Sequence, residues 1–250
     1  MLVLLPPSET KRPGGEGPPL ALDRLAHPTL TPLRSRVVDA LVDLSGDEEE
    51  SARTLKLGKT QRADIGRNAV VRVSATMAAV DRYTGVLFDA LDARGLDDGA
   101  RAWLAAHVQI HSAPFGPVGA MDGIPAYRMS AAVSLPSLGS SKRLWSGAVS
   151  DALAEAAPDF VLDLRSEAYV ALGPVPGNLP SSYVRVVASG PDGTVRALNH
   201  FNKHAKGELV RRLATSAATL AGSDDLLSWA DASDVDLRRG EGGDLLLFSG

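Results

Sequence analysis

The chain has 250 residues, a hydrophobic fraction of 44%, 22% charged residues and a formal net charge of −4, which is enough chain for one sizeable core and ordinary usage for a globular protein. It contains no cysteine, which excludes disulfides and thiolate-based zinc or iron–sulfur sites. No apolar run approaches the ~20 residues that a membrane-spanning helix needs, and the acidic total is unlike that of a strongly basic nucleic-acid binder.

In chain order, the first predicted element is a short buried strand, Leu2–Leu5, ended by Pro6 and Pro7. This run is too short, and lacks the basic start, for a signal peptide. The expectation is a soluble cytoplasmic protein with no membrane partner. A polar turn follows, with Ser8, Glu9, Thr10 and Lys11, and then a Pro- and Gly-rich loop over 12–32. The periodicity of "PLRSRVVDALVDLS" predicts a helix with Leu33, Val37, Val38, Leu41 and Leu44 on one side. "SGDEEESARTLKL" predicts a second helix, with Ser45 as its cap and an acidic first turn at the positive end of the dipole. "YTGVLFDALDARG" and "DDGARAWLAAH" read as short helices and "VQIHSA" as a strand. "PFGPVGAMDGIP" reads as a loop, "AYRMSAAV" as a strand, "SKRLWSGAVSDALAEAA" as a helix and "FVLDLRS" as a buried strand. "SYVRVVASG" and "GTVRALN" predict a hairpin about the turn "GPDG". Residues 199–220 read as the longest helix, and "DLLLF" as a closing strand.

These elements predict an α/β fold of mixed character: one domain over residues 1–250, with a mixed sheet flanked by helices. Its strands are Leu2–Leu5, Val108–Ser112, Phe160–Arg165 and the hairpin Tyr183–Leu198. Charge is uneven along it. Asn199–Arg212 carries Lys203, Lys206, Arg211 and Arg212 against Glu208, whereas the last thirty residues are acidic. A basic face on an acidic body still attracts an anion, because the local field decides.

Two histidine pairs lie four apart, His107 with His111 and His200 with His204. Neither has the acid of HExxH, and His111 falls in a strand, so no metal site and no cofactor are expected. GxSxG is absent. Ser166, in "LRSEAY", ends a strand either as a nucleophile or, as we favour, as the cap of a turn. Phosphate loops of the GxxxxGK[ST] and GxGxxG kinds are absent too. "PPSETKRPGG" nevertheless places hydroxyls and cations just beyond the carboxyl end of a strand, where open α/β sheets hold ligands. In "NHFNKHAKGELVRRL", Phe201, Ala205, Leu209 and Leu213 face the core, while Lys203 and Lys206 share another face. Gly207 costs ~1 kcal/mol in mid-helix relative to Ala. It implies close approach to the backbone by an anion or by a packed neighbour.

Six segments in order, "LLPPSETK", "DRYTG", "HSAPFGPVGAMDGIPAYRMS", "LWSGAVSDAL", "VLDLRSEAY" and "NKHAKG", resemble the YaaA peroxide-stress protein family in its actinobacterial form. The resemblance covers nearly the whole chain. It implies protection from hydrogen peroxide associated with limiting free intracellular iron. It also implies DNA binding through a basic cleft, with a helix-hairpin-helix-like element near His111 to Asp122. This sequence departs from the family pattern in several places. Glu9 stands where the family has a lysine, with Lys11 two positions on, and Lys206 stands for an arginine.

Two functions follow. In the first, a non-enzymatic protein binds duplex DNA with weak sequence preference. Its phosphate contacts come from Ser8, Thr10, Lys11, Arg128, Lys203, Lys206 and Arg211, with Gly116 and Gly119 admitting backbone amides. In the second, the same cations position a nucleotide or other small phosphorylated ligand, and Glu9, Ser166, Glu167 or Tyr169 does proton work.

Overall fold

The computed structural model describes residues 1–189, 195–197 and 201–249. The central sheet has eight strands: β1 (Leu2–Leu5), β2 (Val108–Ser112), β3 (Gly116–Gly119), β4 (Val161–Asp163), β5 (Ser181–Ser189), β6 (Val195–Ala197), β7 (Leu237–Arg239) and β8 (Leu245–Phe248). From one edge the order is β7-β8-β5-β4-β1-β2-β3, with β6 paired to β5. β1, β2, β4, β5 and β8 run parallel, while β3, β6 and β7 each pair antiparallel with a neighbour. All four residues of β1 are buried, as a parallel strand covered on both faces requires. The main helices are α1 (Thr31–Leu44), α2 (Glu48–Thr54), α3 (Val86–Leu91), α4 (Asp98–His107), α5 (Ser141–Ala156), α6 (Phe201–Thr215) and α7 (Ser223–Ala232). Leu4, Ile110, Trp145, Leu162, Val184 and Leu213 all belong to one contiguous core.

The mixed sheet contains the expected strands, including the closing one, and adds two that the sequence reading did not anticipate, Gly116–Gly119 and Leu237–Arg239. Several local expectations are corrected. Ser45 ends α1, donating to the Val42 carbonyl; α2 begins at Asp47, whose carboxylate accepts from the Glu50 amide. "PFGPVGAMDGIP" is more than a loop: Gly116–Gly119 returns along β2 as a hairpin. That hairpin occupies much of His111–Asp122, the stretch expected to form a helix-hairpin-helix-like element. Beyond it, Gly123–Ile124 pairs with Met77–Ala78, so the backbone groups there serve strand ladders instead of a helix terminus. "AYRMSAAV" forms no strand. Its backbone partner is a side chain: Asn68 Nδ2 donates to the Arg128 carbonyl and Asn68 Oδ1 accepts the Arg128 amide. That exchange replaces a ladder rung. α6 stops at Thr215, so α5, with sixteen residues, is the longest helix among those described. The turn "GPDG" and His200 lie outside the described residues.

Candidate functional site

β1 leads into β2 on one side, and the chain later returns as β4 on β1's other side. The strand order therefore reverses between β1 and β4, and the carboxyl end of such a reversal is where open α/β sheets form a crevice. Residues 6–11 leave β1 there, residues 113–115 leave β2, and residues 164–169 leave β4.

Lys11 dominates the first segment. Its backbone bridges Tyr83, and the Thr84 amide donates to the Thr10 carbonyl, which together tie the turn down. The side chain folds inward and is 6% exposed. Nζ sits 4.0 Å from the centre of the Tyr127 ring and 5.3 Å from that of Tyr83. It donates to the Ser8 carbonyl at 2.9 Å and the Glu9 carbonyl at 3.3 Å. The ring faces and carbonyls favour an ammonium. Burial and the neighbouring Arg128 oppose it more strongly and bring the pKa down to about 7. The Glu9 carboxylate, which pairs with Arg128 at 2.5 Å, offsets this only in part. Behind the amine, the Tyr83 and Tyr127 hydroxyls are 2.7 Å apart, and Ser112 donates to Tyr127 at 3.0 Å. Burial raises both phenols well above their usual range, so both stay protonated.

The end of β4 and the segment that leaves it carry a buried polar cluster. Asp163 and Arg165 pair in a two-pronged contact, at 2.8 and 2.6 Å. Arg165 also donates to the Gly173 carbonyl and meets His111 Nδ1 at 2.9 Å. Burial, with the Arg165 charge adding to it, holds His111 well below its usual pKa, so its ring is neutral. Its Nε2 is buried without a partner. Lys206, 4% exposed, reaches from α6 to donate to the Leu164 carbonyl at 3.0 Å, with the Tyr183 ring centre 5.3 Å away. Burial lowers it to about 8; Asp163 opposes the shift and Arg185 adds to it.

The structure thus brings Ser8, Glu9, Thr10, Lys11, Arg128, Tyr169 and Lys206 to one end of the sheet. The Ser8 and Thr10 hydroxyls lie 3.2 Å apart, with Thr10 donating to the Thr84 carbonyl. Tyr169 lies among Tyr127, Glu9 and His111. Ser166 opens the short helix Glu167–Val170 at its N-cap, without a side-chain bond, and exposed Glu167 faces Arg185 at 3.6 Å.

The remaining expected residues serve elsewhere. Lys203 is exposed while Lys206 is buried, so the two do not share a face. Arg211 caps the carboxyl end of α3, donating to the Leu91 and Asp92 carbonyls at 2.9 Å. Gly116, at φ 64°, lets the hairpin turn under Trp145, whose ring a Cβ would meet at 3.1 Å. The Gly119 amide is occupied by Asp122 at 2.8 Å. Gly207 answers to a packed neighbour: a Cβ there would lie 2.2 Å from the Leu87 carbonyl oxygen and 2.9 Å from the Ala90 Cβ. It admits α3, not a ligand. Among the described residues no group of three or more His, Asp or Glu side chains could hold a metal ion.

The residue-by-residue reading missed Tyr83, Tyr127, Ser112 and Asn68. The chain has only four tyrosines, and two of them stand inside the quoted "DRYTG" and "PAYRMS", a signal that could have singled them out. An open recess of about 530 Å³, lined by Arg12, Thr76, Asp81 and Arg94 among others, lies apart from Lys11. In its lining Arg12 donates to the Asp81 carbonyl at 3.4 Å, and the half-buried Asp81 carboxylate pairs with Arg101 at 2.8 Å.

Residues 1–232 match the family model described as peroxide stress protein YaaA. A UPF0246 protein of Corynebacterium efficiens is 45% identical over 228 residues, covering 89% of each chain. One of Corynebacterium glutamicum is 40% identical over 239 residues, covering 94% of each. One of Streptomyces coelicolor is 39% identical over 230 residues, covering 91% of this chain and 88% of its own.

Proposed function

The chain belongs to the YaaA peroxide stress protein family, and from that premise we propose that it serves peroxide defence by binding a small phosphorylated or otherwise anionic ligand in the crevice between β1 and β4. One observation carries this reading. Of the chain's six lysines, Lys56, Lys59, Lys142 and Lys203 are exposed, while Lys11 and Lys206 are buried at the carboxyl ends of adjacent strands. Among the described residues, neither buried lysine forms an ion pair. Burying a cation is costly without a partner, and an anion in the crevice relieves that cost at both amines. Glu9 and Tyr169 line the same end and are the groups available for proton work on the ligand.

The second reading is duplex DNA binding with an effect on free iron, as the family resemblance implies. Exposed Lys203 on α6 supports it, because a phosphate backbone can reach that amine. The two readings separate by salt and by position. Calorimetry with inorganic pyrophosphate and with a duplex, at 50 and 200 mM salt, is the test. The crevice reading expects pyrophosphate binding that changes little with salt and weakens at least tenfold in Lys206→Ala. Duplex binding that falls steeply with salt and weakens in Lys203→Ala, with no pyrophosphate binding, would put the second reading in its place.

A further inference from the structure

Resting on the crevice reading, we propose that Lys11 is the reactive amine of the site: its Nζ attacks the carbonyl carbon of an anionic aldehyde or ketone and forms a reversible imine. The geometry sets Lys11 apart from the four exposed lysines, and its contacts outnumber those of Lys206, which meets one carbonyl and one ring. The Lys11 amine touches two backbone carbonyls and two aromatic faces and no carboxylate. Glu9, the acid nearest in sequence, is held by Arg128. The charged groups around the amine are Arg128 and Arg67, which disfavour its protonation, and Glu9 and Asp64, which favour it. Glu9 and Asp64 each face a guanidinium of their own, Arg128 and Arg67 respectively. Beside the amine, the hydroxyls of Ser112, Tyr127 and Tyr83 form a connected series whose phenols stay protonated.

A desolvated amine next to another cation, with a free lone pair near neutral pH, has what covalent catalysis by lysine requires. In the step itself the nitrogen lone pair forms the C–N bond, and the C=O π pair moves to oxygen. That oxygen takes the two amine protons in succession and leaves as water. No oxidant or reductant enters. Arg128 and Lys206 stand at the same end of the sheet to hold the ligand's anionic group.

The full-length protein is treated with pyridoxal 5′-phosphate and borohydride in one arm, and with formaldehyde and cyanoborohydride in another, with labelled lysines located by peptide mass analysis. Lys11 is expected to label at pH 7.5 at least tenfold faster than Lys56, Lys59, Lys142 or Lys203, with a rate that levels off above pH 8 while theirs keeps rising. Lys11→Arg, checked by circular dichroism for folding, removes that label, and Tyr127→Phe, which keeps the ring, preserves it. Labelling of Lys11 no faster than Lys203 in both arms would overturn the proposal. Pyrophosphate distinguishes the two readings. Lys11 labelling that pyrophosphate does not slow in the pyridoxal 5′-phosphate arm supports the amine and removes the crevice's anion preference. Calorimetric pyrophosphate binding beside an inert Lys11 does the reverse.

Discussion

Lys11 titrates in the unfolded chain near its usual 10.5 and in the folded protein at about 7. Between those values the unfolded state binds more protons, so folding stability rises with pH across that window, with a slope of at most ~1.4 kcal/mol per unit from this group. Lys206 adds in the same direction from about 8 upward. Replacing Lys11 with Met keeps the volume and removes the buried charge. Lys11→Met is therefore expected to be more stable than the natural protein at pH 7, by about 1–3 kcal/mol, with the gap closing by pH 10. Urea midpoints at pH 7, 8.5 and 10 measure this, and a gap independent of pH would mean that Lys11 titrates normally. The same variant loses imine trapping, so the residue trades stability for reactivity. His111 acts in an adjacent window. Its folded pKa is held far below 6.5, so stability from this group falls as pH drops below 6.5, where the unfolded ring takes up a proton that the folded ring refuses. His111→Gln is expected to flatten the acid side of the stability profile between pH 4 and 6.5.

At the scale of elements, helix ends and helix contacts give the sharpest outcomes. Asp47 caps α2, and Asp47→Ala is expected to cost about 1 kcal/mol. Ser45→Ala leaves that cap untouched and is expected to cost less than about 0.5 kcal/mol. The comparison, read from chemical-denaturation midpoints, decides which residue starts the helix. Gly207→Ala improves helix propensity by ~1 kcal/mol yet forces a Cβ against the Leu87 carbonyl of α3. Overpacking of this kind costs ~1–3 kcal/mol, and backbone cannot swing aside as a side chain can. A net loss is expected, and a stabilised Gly207→Ala would show that α3 and α6 are further apart than described. Ser112→Ala and Tyr127→Phe remove the two partners of one hydrogen bond, so their effects on stability should be non-additive.

At the scale of the molecule, one sheet and one core tie the two ends of the chain together, since β8 lies parallel to β5 and β5 to β4 beside β1. Trp145 is buried in the centre of that core, and Trp103 Nε1 donates to the Ala218 carbonyl, joining α4 to the segment after α6. Tryptophan fluorescence and far-ultraviolet circular dichroism are therefore expected to report the same single unfolding transition. Two separated transitions, or two stable proteolytic fragments with their own melting curves, would divide the chain into independent units. No described helix is long and apolar enough to cross a membrane.

Much of this protein is legible in its sequence because the signals are local. The aliphatic run Leu2–Leu5, the periodicity of Thr31–Leu44 and the β-branched strand Tyr183–Ser189 each announce their own structure through side-chain spacing. The prolines of "PPSETK" announce the end of the first strand in the same way. What only the tertiary structure decided is which polar groups meet. Lys203 and Lys206 are alike in sequence, but the sheet end takes in one and leaves the other in solvent. Ser45 and Asp47 both suit a cap, and the end of α1 claims the first. Arg211 looks like a phosphate ligand until the end of α3 comes within its reach. Tyr83 and Tyr127, 44 residues apart, become one floor under Lys11 only when "DRYTG" bridges the first turn and Asn68 pins Arg128. Long-range burial supplies the desolvation that shifts the Lys11 amine toward neutrality. No spacing of residues along the chain encodes that shift, because it depends on which groups exclude water from the same few ångströms.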